Sequence, residues 1–428
     1  LLAHELVDEI GLVPQQVAPQ RGGVGVRATG REAADPEAAL ALALRLNLHS
    51  RLAQRVLLQL ADAPYRDEQA LYELARRPRW TDWLDARMTL RVDVTAQRSP
   101  LKSLHFAGLR VKDAVCDALR DASGARPDID TRRPDLSLVL HLQAEHATLY
   151  ADTSGEALFK RGWREDKGEA PLKETLAAAM LAAAGWRGRA GDGPLLDPCC
   201  GAGTIAIEAA QLACGIAPGL ARRFALERWR PAQSASLRRQ AADLREVARA
   251  AVHAPAAEVH AGDVAFRMTD FATRNAVRAG VEHAIAFKTA DALQRLPPRP
   301  GGTLLMNPPY GERIGAKGQG AQPFEAGAAA REQAVVDDGV GDFFAALATH
   351  WKRHYAGWTA WVLSPDARLP QRMRLKESAR VPLWNGPIEC RLFRFDLVAG
   401  SNRTPRGEAG ASSDAPPAGP PAPDARTS

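Results

Sequence analysis

One run restricts the fold of this chain more than any other: Asp197-Pro198-Cys199-Cys200-Gly201-Ala202-Gly203-Thr204. Apolar Leu195-Leu196 precedes it, and Ile205 to Leu212 follows with a helical pattern. The segment therefore predicts a strand, a glycine turn and a helix N-terminus. Gly201 and Gly203 can take positive φ and leave no Cβ between backbone and ligand. The helix start offers unpaired N–H groups and partial positive charge. Such a turn suits a nucleotide-like or carboxylate-bearing ligand at the C-terminal edge of a parallel sheet. Gly201-x-Gly203-x-x-Ala206 also fits the alanine form of the dinucleotide fingerprint, so the turn alone leaves an oxidoreductase open.

A second motif separates these readings. Asn307-Pro308-Pro309-Tyr310 follows the apolar run Thr303-Leu304-Leu305-Met306. The Asn307 side-chain oxygen and the Pro308 carbonyl can accept the two hydrogens of a planar exocyclic amine. Pro308 and Pro309 remove donors and stiffen the loop, and Tyr310 offers a face for a base. A dehydrogenase has no use for this tetrapeptide. Together the two motifs resemble the class I S-adenosylmethionine-dependent methyltransferases that act on amino groups.

With 428 residues the chain exceeds one ordinary core, so two or three domains are expected. It opens on Leu1-Leu2 within a helical pattern and without methionine, which reads as an interrupted start. No apolar run reaches the length of a membrane span and no secretory signal is recognisable, so no membrane partner is expected. The cysteines (116, 199, 200, 214 and 390) form no CxxC pair, which argues against a metal and for the reducing cytoplasm. Net charge is +6. Residues 32–153 hold 17 Lys+Arg against 18 Asp+Glu, whereas residues 222–249 hold eight arginines against Glu227, Asp243 and Glu246. The basic surplus therefore has a place. It reads either as a solvated helix face or as a site-flanking RNA contact carried by Arg238 and Arg239.

Residues 1–31 read as a helix from Leu2 to Ile10 and a strand around Val24-Gly25-Val26, with Gly22-Gly23 as the turn between them. From Pro36 a helix carries Leu40, Leu44, Leu48 and Leu52 on one face. Met88 to Thr95 alternates as a half-buried strand. A helix then places Leu109, Val111, Val115 and Leu119 inward, and an antiparallel pair turns around Glu145-His146. Without regular βαβ units, this is an α+β module. The joining loop carries Arg98 and Lys102, with Lys112 slightly later, and reads as a phosphate contact or an ordinary polar connection. Ser50 to Val56, Val111-Lys112-Asp113-Ala114-Val115 and the closing hairpin make residues 32–153 resemble a THUMP domain, a module that implies RNA binding. Residues 1–31 resemble the partial ferredoxin-like piece that precedes it, lacking its first strand.

Lys160-Arg161-Gly162-Trp163-Arg164 and the alanine-rich stretch after Pro171 resemble the connector of THUMP-linked methyltransferases, expected over 154–185. Lys160, Arg161 and Arg164 are its candidate RNA contacts. From 186 to 400 strands alternate with helices: Leu195–Asp197, Val259–Asp263, Ile285–Asp291, Thr303–Asn307, Thr359–Ser364, then a pair near Val381 and Cys390–Leu397. This predicts an α/β, Rossmann-like domain with a seven-stranded, mostly parallel sheet. Residues 315–333 read as a mobile insertion beside the site, and 401–428 as a disordered tail.

The resemblance to class I enzymes assigns the cofactor contacts. Asp197 takes the ammonium of S-adenosylmethionine; Cys199, Gly201, Gly203 and Thr204 border its methionine end; Asp263 holds both ribose hydroxyls; Asp291 accepts from the adenine amine. Asp263 lies 66 residues past Asp197, against about 20 in the dinucleotide fold, so 222–249 reads as an insertion. The ordered motifs, through Asn385-Gly386-Pro387-Ile388-Glu389-Cys390, resemble the bacterial large-subunit (23S) ribosomal RNA guanine-N2 methyltransferases of the RlmL type over nearly all of 1–400. Three departures from the family pattern are read: some members carry a second methyltransferase domain and the sequence stops before one, the 315–333 insertion is longer than usual, and Cys199-Cys200 stands where methionine-cysteine is expected. The resemblance implies methylation of a guanosine N2 amine in ribosomal RNA. Adenine-N6 or tRNA methylation, a nicotinamide oxidoreductase, and a non-catalytic RNA-binding factor are the competing readings.

Overall fold

The computed structural model describes residues 1–20, 22–27, 35–168, 171–308 and 338–398. Pro309, Tyr310, the 315–333 insertion and the 401–428 tail lie outside the described residues.

The N-terminal piece begins with α1 (Leu2–His4), which continues as a π-helical turn through Glu9, and a hairpin of β1 (Val17–Gln20) and β2 (Gly23–Val26). The turn at Gly22 therefore joins two strands rather than a helix and a strand; β1 is too short and polar to show in the periodicity.

The next module contains α2 (Pro36–His49), β3 (Leu57–Pro64), α3 (Glu68–Arg76), β4 (Thr89–Ala96), α4 (Leu104–Ser123), β5 (Asp128–Ile129), β6 (Leu136–Leu142) and β7 (His146–Asp152). Asp35 caps α2 by accepting from Glu37 N–H at 2.9 Å, with Pro36 in the first turn. Leu40, Leu44 and Leu48 are buried as the spacing requires, while Leu52 falls beyond the helix. The five strands order as β3-β7-β6-β4-β5. β4 pairs parallel to β6, so β4-α4-β6 is a βαβ crossover, contrary to the sequence reading. Strand periodicity reports which face is buried, not which way a neighbour runs.

The third part contains α5 (Glu174–Ala184), β8 (Leu195–Asp197), α6 (Thr204–Ala213), α7 (Ala235–Ala250), β9 (Val259–Asp263), α8 (Phe266–Arg278), β10 (Ile285–Thr289), β11 (Gly302–Met306), α9 (Asp338–His354), β12 (Trp358–Ser364), α10 (Leu369–Met373), β13 (Ala379–Asn385) and β14 (Ile388–Asp396). Its seven-stranded sheet orders as β10-β9-β8-β11-β12-β14-β13, parallel except where β14 runs against β12 and β13. α5, α6 and α8 cover one face together with Trp163, Leu172 and Trp186, so the connector is part of this core. α9 and α10 cover the other through Phe344, Leu347, Trp351 and Met373.

The arginine-rich insertion serves neither expected purpose alone. Phe224, Leu226, Trp229, Ala232, Leu237 and Ala248 join the core of the first sheet. Trp229 is fully buried, donates to Asp135 O at 3.0 Å and meets Trp83 edge-on at 6.2 Å. The insertion is a strap from one domain clamped onto the other.

Candidate active site

β8, β9 and β11 are adjacent parallel strands: Leu195–Asp197 pairs with Val259–Ala261, and Leu195-Leu196 with Thr303-Leu304. Their C-terminal tips share one edge, neighbouring strands about 4.8 Å apart. The glycine turn, Asp263 and Asn307 therefore converge there.

Gly201 and Gly203 have φ of 51° and 86°. A Cβ on Gly203 would lie 2.9 Å from Ala272 Cβ, so this glycine lets α6 and α8 approach; a Cβ on Gly201 would meet nothing within 4 Å. Gly201 thus presents bare backbone to open space. Asp263 Oδ2 accepts from Gly201 N–H at 3.1 Å and its Oδ1 from Ala265 N–H at 3.0 Å. Each oxygen retains acceptor capacity.

Asp197 is buried, at 1% exposure, and its carboxylate accepts only from Cys199 N–H, at 3.2 Å, among the described residues. Burial pushes its carboxyl well above the usual range; the Cys199 N–H pulls the other way, and neighbouring Asp263 adds to the rise. A buried carboxylate without a cation fits a ligand that brings one. Burial also raises Asp263, against its backbone hydrogen bonds. Asp291 lies two residues beyond β10, not within it, and its Oδ1 accepts from Leu293 N–H at 2.8 Å. Burial, then the nearby carboxylates, pushes the Cys199 and Cys200 thiols well up, so neither is poised as a thiolate.

Asn307 follows β11, and its buried Oδ1 has no hydrogen-bond partner among the described residues. Pro308 is buried beside it. Thr204 opens α6, but its hydroxyl accepts from Arg164 at 2.8 Å and so faces the connector.

The candidate RNA contacts separate by burial. Arg98, Lys102, Arg238 and Arg239 are exposed. Lys112 pairs with Asp113 at 2.9 Å, and Lys160 with Glu156 at 3.0 Å. Arg161 is not placed to meet RNA: it is buried and bonds Glu208 Oε1 at 3.0 Å, Arg51 O at 2.7 Å and Leu158 O at 2.8 Å. Arg164 is likewise committed, to Glu174 at 2.8 Å and to Thr204. Both sit inside because Glu208 and Glu174 are themselves buried and need a counter-charge.

Sequence reasoning missed Asn275. Fully buried on α8, it donates to Ala202 O at 3.1 Å and Asp166 O at 3.0 Å, and its Oδ1 accepts from Glu165 and Asp166 N–H. It ties the connector to the glycine turn. Its signal was a polar residue on the apolar face of Ala272 and Ala276. Val264 and Phe266 were also missed; both are over 70% exposed immediately after Asp263, and large exposed apolar side chains beside a cleft mark ligand surface.

A seven-stranded sheet of this order, with a glycine turn after its third strand and an Asn-Pro at the tip of the central one, defines a class I methyltransferase domain; here it stands behind a second, α+β domain. Residues 65–152 match the THUMP domain model, and residues 161–333 match the RMKL-like methyltransferase domain model. The chain is 35% identical over 367 residues to the "Ribosomal RNA large subunit methyltransferase K/L" of Shewanella sp. (strain MR-4), covering 86% of this chain and 48% of that one. It thus spans about half the length of the curated relatives it matches. Among solved structures it resembles a possible methylase from Clostridium difficile 630, 26% identical with a TM-score of 0.71 over 84% of this chain and 88% of that one. SMU.472, solved in complex with SAH, shares the fold at 24% identity and a TM-score of 0.74 over 92% and 94% of the two chains.

Proposed function

We propose that this chain transfers a methyl group from S-adenosylmethionine to the exocyclic N2 amine of a guanosine in large-subunit ribosomal RNA. The observation that carries this reading is the buried Oδ1 of Asn307, without a hydrogen-bond partner among the described residues and one strand away from the glycine turn. The RMKL-like domain and the naming of the Shewanella relatives support the RNA assignment.

The residues present fit the cofactor. Asp197 is a buried carboxylate awaiting a cation, Gly201 leaves backbone open, and Asp263 and Asp291 keep acceptor capacity for ribose hydroxyls and the adenine amine. When bound, S-adenosylmethionine supplies an electrophilic methyl group. Asn307 Oδ1 and the Pro308 carbonyl accept the two amine hydrogens, which directs nitrogen electron density out of the base plane. Such positioning can lower the barrier by about 7–11 kcal/mol. The amine forms its new bond before losing a proton, so no strong base is required, and the cationic product releases that proton to water. The guanine must be unpaired or flipped to reach the tip; Tyr310, outside the described residues, is the stacking residue that the sequence motif offers. Arg98 and Lys102 on the THUMP side hold phosphates. A ribosomal RNA substrate would be met in the cytoplasm, the location proposed for this chain.

Mass spectrometry of ribosomal RNA nucleosides from a deletion strain tests the assignment. Loss of one N2-methylguanosine is expected; loss of an N6-methyladenosine or a tRNA nucleoside instead would reassign the substrate. Asn307→Ala should bind S-adenosylmethionine normally by calorimetry yet transfer no methyl group, and full turnover by that variant would reject its role.

A further inference from the structure

β14 runs antiparallel to β12, with Arg391 opposite Ser364, the last residue of β12. The β13–β14 hairpin therefore overshoots the C-terminal edge of the sheet by residues 388–390, roughly 10 Å at strand rise. Its two-residue loop, Gly386-Pro387, closes between the paired Asn385 and Ile388, with Gly386 at φ 65°. A loop this short holds its flanking strands firmly.

This projecting tip carries Trp384, 59% exposed, and Ile388, 44% exposed. Trp384 belongs to a solvent-facing row, Arg380-Pro382-Trp384, while Val381 and Leu383 between them pack on the core. Arg380 has no ion pair among the described residues; Glu389, opposite Trp384, is paired with Arg391 at 3.0 Å. A tryptophan left in water on a rigid tip forgoes the burial of a large apolar ring. Pro382 removes a donor from this edge strand, so the row is poorly suited to adding a further strand. What remains is a flat aromatic face, an apolar neighbour and an uncompensated arginine, the combination that binds single-stranded nucleic acid.

We propose that Trp384 is a stacking platform for an unpaired base of the RNA substrate, with Arg380 meeting its backbone. The inference rests on the RNA-methylating reading above. β13 is three strands from β11, about 14 Å across the edge, so the base held by Trp384 is a neighbour of the methylated nucleotide, not the target. By gripping that neighbour the hairpin keeps the strand splayed over the Asn307 tip.

The test uses the full chain and a short single-stranded RNA carrying 2-aminopurine, whose fluorescence is quenched on stacking. Trp384→Ala should weaken binding by roughly 5- to 150-fold and abolish the quench, with Trp384→Phe restoring most of both. Arg380→Ala should lower the salt slope of binding by about 0.7. S-adenosylmethionine affinity and melting temperature should be unchanged in all three. Equal affinity and quench for Trp384→Ala, or a change of oligomeric state by light scattering in place of an RNA effect, would overturn the proposal. Absence of any RNA binding by the unmutated chain would instead count against the RNA-methylating reading itself.

Discussion

Two groups of arginines, alike in sequence, have opposite surroundings. Arg51, Arg161, Arg222 and Arg245 lie buried or half-buried in the joint between the THUMP and methyltransferase domains, with exposed Arg228 and Arg230 at its rim. Arg51 and Arg161 converge on Glu208, fully buried on α6. Arg222 donates to Ala157 O, Arg228 to Pro134 O, Arg230 to Thr81 O, and Arg245 pairs with Glu227 at 2.7 Å. Arg98, Arg238 and Arg239 stand in water. The difference teaches that a basic stretch between two domains is first a candidate for mortar. Guanidinium has five donors and can satisfy backbone carbonyls that a domain junction leaves without partners.

Breaking the buried group should have the largest effect. Glu208→Ala leaves Arg51 and Arg161 enclosed without a counter-charge and should cost about 3–5 kcal/mol in urea unfolding. A loss within experimental error would mean that water reaches this knot. Asn275→Ala strips partners from Ala202 O and Asp166 O, and should cost about 1–3 kcal/mol. It should also weaken cofactor affinity, since the residue braces the glycine turn from beneath; a stability loss with unaltered affinity would confine it to the scaffold.

Asp197 sharpens the contrast, being a buried carboxyl with no cationic partner among the described residues. Its folded pKa is raised above the ordinary 3.8, so its contribution to stability is fully present below that value and lost as pH rises through the folded pKa. Asp197→Asn should therefore raise the melting temperature of the ligand-free chain at neutral pH, flatten this part of the pH profile, and reduce S-adenosylmethionine affinity. A lower melting temperature at neutral pH would show that the carboxylate is already compensated.

The smallest stability effect belongs to the open group. Arg238→Ala with Arg239→Ala should change stability by no more than about 0.5 kcal/mol, yet lower the salt slope of single-stranded RNA binding by about 1.4. An identical slope would return α7 to the status of a solvated face. Arg161→Ala is the control: it should destabilise the fold, and a correctly folded fraction should keep the slope.

The strand tips were legible because each is local. Leu195–Asp197, Val259–Asp263 and the apolar run before Asn307 announce themselves through hydrophobic runs that end in an acid or an amide. The pairing direction of β4 and β6, and the strap on which Trp229 crosses between domains, were not legible. Both depend on partners more than 40 residues away in sequence.

The sequence by itself determined the class I domain, the THUMP module and the residues at the sheet edge, because turn chemistry and strand periodicity act over a few residues. Only the tertiary structure decided which arginines meet water. That choice depends on where buried carboxylates and orphan carbonyls of another domain come to rest, and electrostatic desolvation carries no local sequence signature.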